Sequence, residues 1–230
     1  PTARILSLGG VSALATGTEA VFYNPAGFSR LDRSGVVVSH VQFALDTRLD
    51  SAGMVVPLSP RLGMLGVSVL ALTQGRLAGR DDQGNIAGSF AAYDSVIGLS
   101  WSRQIDLFDS LQGQFGLTSK FIRQVIADAS AQGAAFDFGF QATPTIAPNL
   151  KLGVSAHNVG PKMNFGGESY QLPLCVSAGM GYMIGKNVLV QGGANHKPYG
   201  GKTTASAGAA VGIGFGWSLR AGLAQSLVNR

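Results

Sequence analysis

The chain has 230 residues, of which 13% are charged and 33 are glycines, whereas its hydrophobic share is 46%. Soluble proteins carry about 25% charged residues and about 7% glycine, so charge is scarce here and glycine is abundant. This composition argues against a helical membrane protein, which would show long runs of Leu, Ile and Val. The net charge of +5 comes from scattered Lys and Arg, which argues against a nucleic-acid partner.

The first 33 residues do not alternate as a strand would. Thr16 and Glu19 have the spacing of a helix cap, and the apolar run 20–23 follows. Pro25 ends that run, because the residue before a proline disfavours helix. A helix of one or two turns is unstable alone, so we expect residues 1–33 to form a short helical plug, or hatch, packed inside a barrel.

From residue 35 onward, apolar and polar side chains alternate with the period of two that is typical of β-strands. Phe136 and Phe138 share one parity, for example, whereas Asp137 and Gly139 share the other. The same pattern predicts eleven strands, at residues 35–46, 49–58, 61–75, 92–104, 111–127, 132–147, 149–160, 171–184, 187–198, 203–214 and 217–228.

The predicted connections between strands differ in length. Short turns are marked by proline, asparagine or glycine at residues 59–60, 148–149 and 185–187. Longer polar connections are predicted at residues 76–91, 161–170 and 198–202. Tight turns at one end and larger loops at the other are typical of a transmembrane barrel.

Alternation by itself leaves open which face of each strand is dry. In a soluble sandwich the aromatic face packs inward, whereas in a membrane barrel it meets lipid and the polar face lines the lumen. The polar face here is mostly Gly, Ser, Thr, Gln and Asn, which suits a narrow lumen better than a solvated surface. A transmembrane β-barrel is therefore favoured; two stacked sheets with Phe136, Phe138 and Phe140 sealed between them would contradict it.

Several motifs resemble those of one family. They are the residues Leu8-Gly9-Gly10-Val11-Ser12-Ala13-Leu14-Ala15, Glu19-Ala20-Val21-Phe22-Tyr23-Asn24-Pro25-Ala26-Gly27-Phe28, Ala135-Phe136-Asp137-Phe138-Gly139, Asn158-Val159-Gly160-Pro161 and Leu219-Arg220-Ala221-Gly222. The chain resembles the PorV/PorQ family, within the wider superfamily of FadL-type fatty-acid channels. The resemblance implies an antiparallel, 14-stranded barrel integral to the bacterial outer membrane. It also implies a hatch at residues 1–33, carrying the plug motif Asn24, Pro25, Ala26 and Gly27, and a barrel at residues 34–230.

The sequence departs from the family pattern at its C-terminal end. Family members continue for some tens of residues past the Leu-Arg-Ala-Gly strand, whereas this sequence stops at Arg230. About 11–12 strands are represented, and bacterial barrels are even-numbered. Three explanations stay open: the chain is C-terminally incomplete, the strand count is wrong, or a partner closes the gap. No signal peptide opens the chain, so one has been removed or the sequence is not the whole precursor.

Two functions are compatible with the resemblance. The first is passage of small hydrophobic, fatty-acid-like molecules, with Val21, Phe22, Tyr23 and Phe28 of the hatch lining an apolar pocket. The alternative is a docking barrel of a protein secretion or surface-assembly system, which binds secreted or envelope protein partners. Membrane lipids are expected partners in both cases. The loops near 76–91 and 161–170 would form the docking surface.

Six charged or titratable residues fall on the polar faces and are candidate lumen residues: Asp94, Lys120, Asp137, Lys151, His157 and Lys197. We expect them to pair with one another and hold the plug; the alternative is that they set solute selectivity.

No enzyme, cofactor or metal site is predicted. The sequence lacks the G-x-S-x-G, P-loop and H-E-x-x-H motifs, and its histidines lie on different predicted strands. Ser155, His157 and Asp137 could converge as a hydrolase would require, a hypothesis that rests on spacing alone. The single cysteine, Cys175, assigns no compartment.

Overall fold

The computed structural model describes residues 2–80, 83–127 and 129–228. Its centre is one sheet of eleven antiparallel strands, in which neighbours along the chain are neighbours in the sheet except where a small hairpin intervenes. The strands are β1 (Gly35–Gln42), β2 (Arg48–Ser59), β3 (Gly63–Arg80), β4 (Ile86–Phe108), β5 (Leu111–Ile126), β6 (Ala129–Pro144), β7 (Leu150–Val159), β8 (Met163–Phe165), β9 (Glu168–Tyr170), β10 (Cys175–Ile184), β11 (Val188–Lys197), β12 (Lys202–Gly214) and β13 (Trp217–Val228). The hairpin is β8–β9, so β7 pairs directly with β10.

The residues before β1 form short helical turns. The helix α1 (Ala3–Ser7) is followed by three 3₁₀ turns at Ser12–Leu14, Thr18–Phe22 and Pro25–Phe28. The predicted helix at residues 20–23 is therefore part of a 3₁₀ turn, because four residues before a proline are too few for a stable α-helical ladder. No helix within the described ranges is long and apolar enough to cross a membrane.

These N-terminal residues lie against one face of the sheet along its whole width. The turn Thr18–Phe22 contacts β1 to β3, and Pro25–Phe28 contacts β4 to β6. The turn Ser12–Leu14 contacts β6, β7 and β10, and α1 contacts β13. A short segment can touch both edge strands of an eleven-stranded sheet only if the sheet curves around it. We call this face the inner face.

The outer face carries the apolar parity of the strands. Phe136 and Phe138 are 43% and 41% exposed, and Phe140 is half-buried. They are not sealed between two sheets, so the sandwich alternative is wrong for the described residues. The large exposed apolar side chains on this face include Val36, Val38, Val67, Val69, Ile97, Leu99, Phe121, Leu152, Val154, Val176, Met180, Tyr182, Val190, Val211, Leu219 and Leu223.

The structure corrects three details of the prediction. A closed barrel is not observed: within the described residues β1 pairs only with β2, and β13 only with β12. The predicted connection 76–91 is shortened, because β3 runs to residue 80 and β4 starts at residue 86; residues 81 and 82 lie outside the described ranges. The predicted strand 171–184 starts only at residue 175, because Leu172 packs into an apolar cluster on the inner face instead of joining the sheet.

The connection at 161–170 also differs from the polar surface loop that the sequence predicts. It contains the β8–β9 hairpin, and Met163 and Leu172 beside it are 2% and 4% exposed. They pack with Ile122 and Ala135 of β5 and β6 in an apolar cluster. The overall polar composition of the segment does not indicate this packing, because only two apolar side chains, Met163 and Leu172, are needed to hold it against the sheet.

Candidate functional site

The plug motif is seated on the sheet by its asparagine. Nδ2 of Asn24 donates to the carbonyl oxygens of Ala13 at 2.7 Å and Val154 at 3.2 Å, and Oδ1 accepts from the amide of Ala26 at 3.1 Å. Asn24 and Ala26 are fully buried, and Pro25 begins the turn Pro25–Phe28. The Asn24 side chain thus joins the motif, the turn Ser12–Leu14 and strand β7.

Four pairs of facing glycines on the inner face allow the N-terminal segment to approach the sheet. The pairs are Gly116 with Gly139, Gly153 with Gly179, Gly179 with Gly193, and Gly208 with Gly222. We call them the glycine notches.

Side chains in the glycine notches would collide with the N-terminal segment. A Cβ on Gly139 would overlap Oδ1 of Asn24, and one on Gly116 would overlap the backbone of Pro25. A Cβ on Gly208 would overlap the backbone of Leu8. Sequence reasoning missed this role, although the signal was present as glycine on the polar parity of otherwise regular strands.

The four apolar hatch residues predicted to line a pocket divide into two pairs. Val21 and Phe28 are 4% and 0% exposed and belong to an apolar cluster with Val55 of β2. Phe22 and Tyr23 pack at the margin of that cluster and also line a cavity. Burial raises the pKa of the Tyr23 phenol above its ordinary value, so this group stays neutral in the cavity.

That cavity, which we call the outer cleft, lies between the N-terminal segment and the loop-side halves of β5, β7 and β10–β13. Its volume is about 610 Å³. Its N-terminal side is mainly apolar and its sheet side mainly polar, with lining residues that include Ile5, Leu6, Phe22, Tyr23, Lys120, His157, Asn158, Cys175, Ser177, Asn195, Lys197, Thr204 and Ser206. Ser206 is 7% exposed, and its hydroxyl has no hydrogen-bond partner among the residues that the structure describes. A ligand in the cleft would find both an apolar surface and polar groups.

A buried ionic network forms one wall of the outer cleft. Oδ2 of Asp137 lies 2.6 Å from Nζ of Lys120 and 3.0 Å from Nδ1 of His157. Oδ1 accepts from the backbone amide of Asn158 at 2.9 Å, and Lys120 also donates to Oδ1 of Asn158 at 3.1 Å. The structure thus pairs three of the six predicted lumen residues, and the network ties β5, β6 and β7 together.

The geometry that a hydrolase would need is partly present. Nε2 of His157 lies 3.1 Å from Oγ of Ser155, and the other ring nitrogen faces Asp137. Ser155 is only 4% exposed and does not line the outer cleft, so a substrate in that cleft would not meet its hydroxyl. Lys120 also holds the carboxylate oxygen that would orient the histidine. The arrangement is that of a structural hydrogen-bond chain.

The other predicted polar residues do not join this network. Lys197 lines the outer cleft, and Asp94 is half-buried on β4. Lys151 lies on the other side of the N-terminal segment, in a smaller cavity near the short turns. No group of three metal-ligating side chains occurs among the described residues.

The other two histidines do not line the outer cleft: His40 pairs with Asp50 at 2.6 Å, and His196 forms a hydrogen bond with Thr203 at 2.9 Å.

No protein-family model matches the sequence, and no curated protein matches it.

Two solved structures have a similar fold. The toluene transporter TodX of Pseudomonas putida superposes with a TM-score of 0.66 at 12% identity, over 97% of this chain and 83% of that chain. The TodX deltaS2S3 mutant, a monoaromatic hydrocarbon channel, gives a TM-score of 0.65 at 14% identity, over 100% of this chain and 84% of that chain. At these identities the likeness shows the fold alone. It agrees with the predicted antiparallel all-β fold and gives no support to the narrower PorV/PorQ assignment.

Proposed function

We propose that this chain is part of a bacterial outer-membrane channel for small hydrophobic molecules, with residues 1–33 as its hatch. The observation that carries the proposal is a sheet with an exposed apolar outer face that curves around an internal cleft. The two similar structures are a toluene transporter and a monoaromatic hydrocarbon channel, which supports a small hydrophobic solute.

The outer face supports a position in lipid. Transmembrane strands need about 9–11 residues and alternate apolar-out with polar-in. The main-sheet strands have 8 to 23 residues and follow that alternation. In lipid the free edges of β1 and β13 must be paired, since each unpaired backbone group costs several kcal/mol. We therefore propose that the sheet is closed into a barrel in the membrane.

The outer cleft supports passage of a solute next to the hatch. Its volume of about 610 Å³ is in the range of small-molecule sites, and Phe22 and Tyr23 offer aromatic rings to an apolar ligand. The polar wall around Ser206 and Asn195 would keep the cleft hydrated when empty, so a ligand could enter and leave without a dry barrier.

Uptake of toluene tests the proposal. The full-length protein is reconstituted in asymmetric vesicles whose outer leaflet is lipopolysaccharide, which slows passage of apolar solutes through the lipid, and entry of radiolabelled toluene is compared with entry of glucose. We expect toluene entry above that of empty vesicles, and a loss of at least fivefold in Phe22→Gln, because that ring lines the cleft. Phe43→Gln, a change in the exposed β1–β2 connection, is the control and should match the unmodified protein. Equal toluene entry with and without the protein would refute the channel.

The docking barrel remains the alternative function. It predicts that secreted or envelope proteins co-purify with the protein from native membranes. Within the 161–170 connection only Met163 is buried, and most of the other residues are exposed, so a contact surface is available there. A stoichiometric protein partner together with absent toluene entry would favour docking over passage.

A further inference from the structure

A second cavity lies on the short-turn side of the N-terminal segment, away from the outer cleft. Its volume is about 240 Å³. It is lined by Arg30 of the N-terminal segment, by Lys151 of β7, and by neutral polar and apolar residues that include Gln114, Gln141, Thr143, Leu14 and Leu31. We call it the cationic pocket, because it has two basic lining residues and no acidic one.

Lys151 has no counter-ion in the described part of the structure. It is half-buried, and neither an ion pair nor a hydrogen bond engages its ammonium group. The charged groups that act on it are Arg30 and Arg4, both of the same sign. Glu19 of the N-terminal segment pairs with Arg4 at 3.2 Å and accepts a hydrogen bond from Thr2 at 2.6 Å, so its carboxylate is engaged by these two residues.

Arg30 is held in place by neutral groups. Its Nη2 donates to Oγ1 of Thr143 at 3.2 Å. With its carboxamide oxygen facing the guanidinium, Gln114 accepts from Nη2 at 2.7 Å and from Nε at 3.1 Å. These contacts orient the guanidinium at the pocket without neutralising it. Gln141, which also lines the pocket, is fixed by bonds to the carbonyl oxygens of Ala13 and Ala15 at 3.0 and 2.8 Å.

Lys151 is half-buried and lies near the exposed, like-charged Arg30, so its ammonium is stabilised when an anion lies between the two cations. A guanidinium offers a paired donor fork to a carboxylate or phosphate, and an ammonium adds a point charge. We propose that the cationic pocket is a binding site for the oxyanion of a small acid, a carboxylate or a phosphate. The site depends on Arg30 and Lys151 and stands independently of the proposed channel.

Binding of sodium butyrate and of inorganic phosphate to the full-length protein in a non-ionic detergent tests this site. Isothermal titration calorimetry measures each dissociation constant, with 1-butanol as the uncharged analogue of butyrate. We expect at least one of the two anions to bind and butanol not to. The anion that binds more tightly identifies whether carboxylate or phosphate is preferred.

Variants distinguish anion binding in the cationic pocket from a general attraction of anions to surface lysines. Lys151→Gln and Arg30→Gln should each weaken anion binding at least tenfold, whereas Lys151→Arg, which retains the charge, should keep it within about threefold. Lys186→Gln removes an exposed lysine at the same end of the sheet and should leave binding unchanged. Absence of anion binding, equal binding of butanol, or an equal loss in Lys186→Gln would overturn the proposal. None of these outcomes depends on toluene entry.

Discussion

Asp137 is the central residue of the buried ionic network on the inner face. Its carboxylate is 3% exposed and receives Lys120, His157 and a backbone amide, so its buried charge is balanced from three directions. The same residue pair, histidine and aspartate, occurs at His40 and Asp50 with side chains that are 59% and 57% exposed. The two pairs share chemistry and differ in burial, which allows a direct comparison.

Removal of the Asp137 charge should destabilise the protein strongly. Asp137→Asn leaves the Lys120 ammonium, 16% exposed, without its partner at 2.6 Å. We expect a loss of about 3 kcal/mol in the free energy of unfolding, as for other broken buried pairs. Asp50→Asn, at the exposed pair, should cost less than about 1 kcal/mol. Urea unfolding in phospholipid vesicles measures both; equal losses would show that burial does not determine the strength of the network.

Among the elements, β10 illustrates how a strand divides its side chains between two environments. Ser177 is 1% exposed and faces the N-terminal segment, bonding Ser12 at 3.3 Å. Met180 and Ile184, on the other parity, are 58% and 53% exposed on the outer face. Exposure of these apolar side chains to water is unfavourable in free energy, whereas contact with lipid chains is not.

A charge placed on the outer face tests the lipid contact. Met180→Arg, in the middle of β10, should cost about 2–4 kcal/mol of unfolding free energy in a bilayer, whereas Ile184→Arg, at the strand end, should cost about 0–1 kcal/mol. Both sites are on the same face, so only depth differs. If the two variants unfold at the same urea concentration, this face does not lie in a membrane.

At the scale of the whole molecule, the N-terminal segment and the sheet fit each other through the glycine notches. The segment contacts strands from β1 to β13, and its backbone approaches the sheet where a facing glycine lacks a Cβ. The shape of the interior is therefore determined jointly by the two parts, and a single added methyl group in a notch displaces the segment.

Filling one glycine notch should loosen the packing of the N-terminal segment. Gly139→Ala places a Cβ on Oδ1 of Asn24, and we expect a loss of about 1–3 kcal/mol from overpacking. Gly192→Ala is the matched control, because the nearest atom to its Cβ would be 3.6 Å away. Urea unfolding and the rate of proteolysis within residues 1–33 measure the effect. Proteolysis that is as slow in Gly139→Ala as in the control would contradict the seating of the plug motif.

The period of two in the sequence determined eleven main strands and which parity is apolar, because side-chain alternation is a local property of the backbone. It also placed Lys120, Asp137 and His157 on one face. Their convergence depends on the register between strands, which pairs Thr118 with Asp137 and which alternation alone does not specify.

Only the tertiary structure decided how the interior is divided. Val21 and Phe28 lie in an apolar cluster, whereas Phe22 and Tyr23 line the outer cleft. Lys151 shares a pocket with Arg30 and takes no part in the Asp137 network. The insertion of Met163 was equally hidden. The physical reason is that these contacts join residues far apart in the chain, so they depend on the curvature of the sheet and on close backbone approach at glycines, which no local pattern contains.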